Sequence, residues 1–427
     1  MAGMNWNEKR WKHKVAAFER FMEPLVAELG RSERREGAVL YVEGLLTPGQ
    51  RKSVEPMAAR LQVDYQKLQQ FITDSPWDDG RVWSAIRREV VPVMEPLEAW
   101  IIDETGWLKQ GRKSVGVAHQ YCGAVGKQAN CQVSVHLVVS NGEIALPIAG
   151  RLYLPESWTS DPERCAEAGV PETVGFVTKP IIAWELIQQA LADGVPKAPV
   201  LGDSVYGDGG PLRGPLRAHG MEYFLQVEER LLAWTKPVKI ERSRKYWHVA
   251  EDQPAALTLR MIADKIPPQQ WKSSCWKDAE GEERTTRIAW LPVYLHSDLD
   301  QETGDWPQTW LVVDWPQGKP DPYHCYVAHM HAKPNKARCV RMSRSRFHIE
   351  QYFQRDKDDL GLDHFEGRSW RGFHHHLVLA AVAYIFVLLA QLESKKKFWV
   401  YVGSSAASVS AVVRAVNRLL SVLPHEI

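Results

Sequence analysis

Apolar residues recur at helical spacing through the first ninety-odd positions. Across residues 10–29, Val15, Phe18, Phe21, Leu25 and Leu29 share one face, and residues 38–46 continue the pattern. Next come Pro56-Met-Ala-Ala-Arg-Leu61, a break at Gln62-Val63, and Asp64-Tyr-Gln-Lys-Leu-Gln-Gln-Phe-Ile72. Asp64 reads as an N-cap, and Leu68, Phe71 and Ile72 as the buried stripe of a second short helix. From Ala99 the period shortens to that of strands. Ala99-Trp-Ile-Ile102 is apolar, and residues 114–121 form a second candidate strand. Residues 131–139 alternate, with Val133, Val135, Leu137 and Val139 opposite Gln132, Ser134 and His136. After an Asn141-Gly142 turn, residues 143–152 read as a further strand. A helix over 181–193, a strand at Pro199-Val-Leu-Gly202, a helix over about 211–219 and a strand over 223–227 complete the series.

Three meandering strands followed by helix, strand, helix, strand is the order of a ribonuclease H-like α/β fold. Residues 228–335 interrupt it. They are β-like, rich in tryptophan (Trp234, Trp247, Trp271, Trp276, Trp290, Trp306, Trp310 and Trp315) and punctuated by Gly281, Gly304 and Gly318. A helix resumes near Lys336. The expected organisation is an all-α, DNA-binding unit over 1–95, a first catalytic segment over 96–227 and an inserted β-rich subdomain over 228–335. A second catalytic segment over 336–392 and a tail over 393–427 complete the division. The helix pair near residue 60 resembles a helix-turn-helix that would present Tyr65, Gln66, Gln69 and Gln70, although two structural helices satisfy the same pattern.

Composition narrows the class. A chain of 427 residues exceeds one typical domain, and 44% hydrophobic with 25% charged residues is a globular balance. The six cysteines show no metal-ligand spacing, so they read as reduced thiols. The charged start lacks an export signal, and the apolar run 377–389 falls short of the ~20 residues a bilayer requires. The expected location is the cytoplasm, in association with the nucleoid, with no membrane. The net charge of +1 hides a local excess between Lys333 and Lys357, eight Lys or Arg against Glu350 and Asp356. Such a segment can hold a polyanion.

Asp103 and Asp203 each end an apolar strand, where α/β sheets place reactive groups. In a ribonuclease H-like sheet the first and fourth strands are neighbours, so the two carboxylates would face each other. Their repulsion would be relieved by a divalent cation, and Mg²⁺ suits hard oxygen ligands and a phosphodiester. Arg346, Glu350 and Lys357 are spaced to share one helix face, with Glu350 placed to bind metal and the two cations to hold phosphate. Two features were read as structural. The run His374-His375-His376 reads as a polar cap on the apolar helix that follows, and Glu104 as pointing away from the Asp103 face.

Arg346-x3-Glu350-x6-Lys357 resembles the later part of the Y-x2-R-x3-E-x6-K signature of DDE insertion-sequence transposases. Ile102-Asp-Glu-Thr-Gly106, Leu152-Tyr-Leu-Pro-Glu-Ser-Trp158, Leu201-Gly-Asp-Ser-Val-Tyr-Gly207, Gly361-Leu-Asp-His364 and Arg368-Ser-Trp-Arg-Gly372 are similar to the same group, as is Ser114-Val-Gly-Val-Ala-His-Gln-Tyr121. Ser343 stands at the position of the signature's tyrosine. The resemblance implies a catalytic, metal-binding triad of Asp103, Asp203 and Glu350, with Mg²⁺ or substituting Mn²⁺. It implies double-stranded DNA as partner, both terminal inverted repeats and target, and a homodimer on paired ends. Lys336, Arg338, Arg341, Arg344, Arg346 and Lys357 are the candidate DNA contacts. Two rivals are a transposase-derived, non-catalytic DNA-binding regulator and a metal-free hydrolase using a carboxylate pair.

Overall fold

A computed structural model describes residues 8–277, 283–316, 318 and 324–398. The expected turn at Gly281 and residues 399–427 of the tail lie outside the described residues. The N-terminal stretch is helical throughout: α1 (Glu8–Val26), α2 (Ser32–Leu46), α3 (Val54–Leu61), α4 (Tyr65–Thr73) and α5 (Asp79–Glu89). The α3–α4 corner forms as its chemistry dictates. Gln62 takes the left-handed conformation (φ 56°) and returns its N–H to the carbonyls of Ala58 and Ala59, closing α3. The Asp64 carboxylate then accepts from the Gln66 N–H at 2.9 Å, opening α4. Leu68, Phe71 and Ile72 are buried, while Tyr65, Gln66 and Gln70 are exposed. Gln69, expected outside, is half-buried.

The next strands are β1 (Ala99–Leu108), β2 (Ala118–Cys122), β3 (Lys127–Ser140) and β4 (Ala145–Tyr153), all antiparallel, but not the sequential meander expected: β1 pairs with β3, and β2 and β4 both pair with β3. Short helices α6 (Glu156–Thr159) and α7 (Pro162–Glu167) and the crossover helix α8 (Lys179–Ala192) lead to β5 (Val200–Gly202). β5 lies parallel to β1, with Trp100 opposite Val200 and Ile101 opposite Leu201. Helices α9 (Ser204–Gly207) and α10 (Gly210–Ala218) then deliver β6 (Tyr223–Val227), parallel to β5. The resulting mixed α/β order β4-β3-β1-β5-β6 is consistent with a ribonuclease H-like sheet. The alternation expected in β3 holds, but both faces are covered: Gln132, Ser134 and His136 are as buried as the valines.

The tryptophan-rich region contains β7 (Leu232–Trp234), β8 (Ile240–Arg242), β9 (Trp247–Val249), β10 (Leu257–Thr258), α11 (Leu259–Asp264), β11 (Lys272–Lys277), β12 (Glu283–Leu295), β13 (Thr309–Pro316) and β14 (His324–His329). Its main strands extend the same sheet. β14 pairs antiparallel with β6, β13 with β14 and β12 with β13. The edge that β6 would otherwise expose is therefore paired, which removes an open row of backbone donors and acceptors.

The helix expected from Lys336 is broken in two. α12 (Lys336–Ser345) and α13 (Phe347–Arg355) meet at Arg346, and a π turn, Asp356–Leu360, follows. α14 (Trp370–Phe398) then runs through the middle of the core. Its segment Trp370–Leu392 is long and apolar enough to cross a bilayer, which corrects the length read from the sequence, but most of it is buried inside the protein. Its residues from Phe373 to Leu388 join the same apolar core as α1 to α5 and the sheet.

The three histidines correct an expectation. They are buried and do not cap the helix. His374 lies 2.9 Å from the Trp370 carbonyl and accepts from the Leu152 N–H at 3.3 Å. His375 stacks on Trp77 and faces the carbonyls of Ile72 and Trp77. His376 meets the Tyr41 hydroxyl at 2.8 Å and the Leu362 carbonyl at 3.0 Å. Adjacent helical positions do diverge, as their spacing requires, and each ring finds a different neighbour.

Candidate active site

Two strand ends and one helix define a cleft. The β1–β5 register carries Asp103 and Asp203 to the same edge of the sheet, each beyond a paired apolar dipeptide. Each aspartate has one oxygen fixed by backbone: Asp103 Oδ1 accepts from the Glu104 N–H at 2.8 Å, and Asp203 Oδ1 from the Val205 N–H at 3.0 Å. Burial, then the charge of Asp203, pushes the Asp103 carboxyl up to about 8. Burial, then the charge of Glu104, pushes Asp203 up to about 6. Two oxygen-only donors whose charges burden each other fit a hard divalent cation, which would restore both to the ionised form.

Glu350 comes from α13, which packs against β1 and β4 through Ile349, Tyr352 and Phe353. Its exposed carboxylate faces the cleft across Arg346. The guanidinium gives one N–H to Asp103 Oδ2 at 2.7 Å and pairs with Glu350 Oε1 at 2.6 Å. Burial opposes that positive charge, and Asp103, Glu350 and Asp203, in that order, more than offset it. Among the described residues no three His, Cys, Asp or Glu side chains stand close enough to hold one metal ion. Arg346 instead pairs with two of the acids, Asp103 and Glu350.

The other cations have their own partners. Lys357, expected on the face of Arg346 and Glu350, sits in the π turn and reaches β1 as Arg346 does, donating to the Gly106 carbonyl at 2.7 Å. Arg344 pairs with buried Asp314 at 2.8 Å and lies over Trp276 at 4.1 Å. Arg338 pairs with Glu222, Arg341 with Glu98 at 2.8 Å, and Lys336 donates to the Ser273 carbonyl at 3.3 Å. Arg341 and Lys336 remain exposed. Between α12–α13 and the extended sheet lies a cavity of about 350 Å³ lined by Gln226, Tyr326, Ser343, Arg344, Arg346 and Glu350, among others. Ser343 takes up little of the space that a tyrosine there would fill.

Glu104 was expected to point away from Asp103, and it does, yet it belongs to the site. Asp103 meets α13 on one face of β1, while Glu104 meets α8 and α9 on the other. It accepts from Lys179 Nζ at 2.6 Å and from the Tyr206 hydroxyl at 2.6 Å. Tyr206 is fully buried and lies three residues after Asp203, so the bond ties the two aspartate-bearing strand ends together. Glu104 itself is visible in the Asp-Glu-Thr-Gly string. Its partnership with Tyr206, and Lys179, could not be read from spacing.

Comparison with known proteins supplies the family. A probable transposase for insertion sequence element IS701 from Microchaete diplosiphon is 26% identical over 287 residues, 65% of this chain and 72% of that protein. The family model for DDE superfamily endonucleases matches residues 24–292, a segment that contains Asp103 and Asp203 but stops before Glu350. By that match, which covers more than half of its length, the chain belongs to the DDE superfamily endonucleases.

Proposed function

We propose that this protein is a DNA transposase of the insertion-sequence type, from the branch with the Y-R-E-K signature, acting by cut-and-paste. It would cleave the terminal inverted repeats of its element and join the freed ends to target DNA, as a homodimer on paired ends in the cytoplasm, associated with the nucleoid. The observation that supports the reading is the β1–β5 pairing, which makes neighbours of the two strands that lead into Asp103 and Asp203, with Arg346 linking Asp103 to Glu350.

These three acids would hold the divalent ions, Mg²⁺ with Mn²⁺ as substitute, which when bound activate a water or a 3′-hydroxyl and stabilise the leaving oxygen. The chain's own groups do the rest. The Glu104 and Val205 N–H groups fix one oxygen of each aspartate. The Tyr206–Glu104 bond holds the strand ends in register. Arg346 and Arg344 line the cavity and would meet phosphate oxygens, while exposed Arg341 and Lys336 would track the backbone further out. The division into a helical DNA-binding unit over 1–95, a two-part catalytic unit and a β-rich insertion over 228–335 is part of this proposal. So is a reading role for the exposed face of α4.

The second reading, a non-catalytic DNA-binding regulator derived from a transposase, draws on Asp103 and Glu350 being bridged by Arg346. Cleavage of DNA carrying the element's own ends, with Mg²⁺ or Mn²⁺, separates the two. The transposase reading expects cutting by the wild type and none by Asp103→Asn, Asp203→Asn or Glu350→Gln. Metal-dependent cutting retained by all three variants, or absent from the wild type, rejects it.

A further inference from the structure

One guanidinium holds Asp103 and Glu350 together, at 2.7 and 2.6 Å, in a cleft where three acids would otherwise repel. We infer that Arg346 is an internal counter-ion that closes the carboxylate site, so that a divalent cation enters only as Arg346 leaves for a DNA phosphate. The inference rests on the carboxylate reading of the site and adds its regulation.

The structure supplies the parts of this exchange. Arg346 sits at the junction between α12 and α13, and its long side chain can swing by rotation about its own bonds with the backbone unmoved. Its side chain is about a quarter exposed and lines the 350 Å³ cavity, beside Ser343, Arg344 and Phe347. The cavity has an opening in which an anion could draw the guanidinium away from Asp103. Arg344 is tied to Asp314 and Trp276 and does not reach the acids. Lys357 is spent on the Gly106 carbonyl, and Lys179 on Glu104. Arg346 alone among these cations touches two members of the triad.

Thermodynamics then fixes the consequence. A metal and Arg346 compete for the same oxygens, and a phosphate and those oxygens compete for Arg346. DNA and metal therefore assist each other's binding by one shared coupling, which is reciprocal. In the free protein the site is kept from loading metal away from DNA. On an end, the freed carboxylates gain a cation and the phosphate gains a guanidinium.

The test is a Mn²⁺ titration of the full-length chain without DNA, followed by the paramagnetic resonance of free Mn²⁺. Arg346→Gln should bind Mn²⁺ at least about 5-fold more tightly than the wild type, within the usual range of such couplings. Duplex DNA bearing an element end should tighten Mn²⁺ binding strongly in the wild type and much less in Arg346→Gln. Equal or weaker Mn²⁺ binding by the variant in the absence of DNA overturns the counter-ion role. If Arg346→Gln fails to give a cooperative melt, Arg346→Lys serves: it keeps one charge but cannot bridge both carboxylates. It should fall on the tighter side of the wild type, and a Lys variant no tighter than wild type is equally fatal. Asp103→Asn run alongside distinguishes the two levels. Placed on the Arg346→Gln background, where the site is open, it should abolish the tighter Mn²⁺ binding; if the double variant binds Mn²⁺ as Arg346→Gln does, the metal-site reading fails rather than the exchange.

Discussion

The Tyr206 hydroxyl donates to Glu104 Oε2 at 2.6 Å, joining the residue after Asp103 to the residue three beyond Asp203. A buried hydrogen bond to a charged acceptor contributes about 1.5–3 kcal/mol. Tyr206→Phe removes it while leaving the ring in place and Glu104 paired to Lys179. We expect a stability loss of that order in urea unfolding, and single-turnover cleavage slowed about 10-fold as the aspartates lose their fixed spacing. Affinity for end DNA should not change. Cleavage at the wild-type rate would show that the bond serves stability alone.

Gly207 closes the same turn for a steric reason. A Cβ built on it would collide with the Gln226 carbonyl oxygen, a backbone atom of β6 that cannot step aside cheaply. Gly207→Ala must push α9 off β6, at a cost of about 1–3 kcal/mol or more. A lowered thermal midpoint with lost cleavage is expected. A variant as stable as the wild type would mean that the turn relaxes freely.

The buried histidines of α14 weaken the fold in acid. Burial lowers His375 and His376 to about 4, from an ordinary value of 6.5. The unfolded chain therefore binds more protons than the native one between those values, so stability falls as pH drops through that window. Linkage gives about 2 kcal/mol lost per histidine between pH 7.5 and 5. Urea unfolding of the wild type and His376→Gln at the two pH values checks it, because the raised carboxyls of Asp103 and Asp203 act in the opposite sense in both proteins and cancel in the comparison. Acidification should cost the wild type about 2 kcal/mol more than it costs the variant, and identical pH dependences would contradict the account.

The two kinds of cation separate in a salt titration. Arg341 is exposed on α12, so Arg341→Ala should weaken DNA binding and reduce the salt slope by about 1. Lys357 is committed to the Gly106 carbonyl, so Lys357→Met should chiefly lower the unfolding midpoint. A reversal of these two outcomes would return Lys357 to the DNA face.

What could be read from the residues was local. Apolar runs ending in polar turns at Asp103 and Asp203, and the N-cap at Asp64, announce themselves within a few positions. The meander and crossover order then implied the β1–β5 neighbourhood. Long-range pairing left no comparable trace. Nothing in residues 324–329 announces that β14 completes the edge of β6, almost a hundred positions away. No Gly or Pro announces the π turn that follows α13, so the bond of Lys357 to the Gly106 carbonyl was hidden. Three histidines beside an apolar run look like a cap until Tyr41, Trp77 and Leu152 arrive from elsewhere to satisfy them. Glu104 had its direction right and its importance hidden, because both of its partners lie more than 70 residues away.

The most direct measurement is anomalous scattering from Mn²⁺ in crystals of the protein bound to an end of its element. The account expects Mn²⁺ peaks coordinated by Asp103, Asp203 and Glu350, with Arg346 moved from Asp103 to a phosphate. Mn²⁺ bound to other residues, with Arg346 still bridging Asp103 and Glu350 on cleavage-competent DNA, would contradict it.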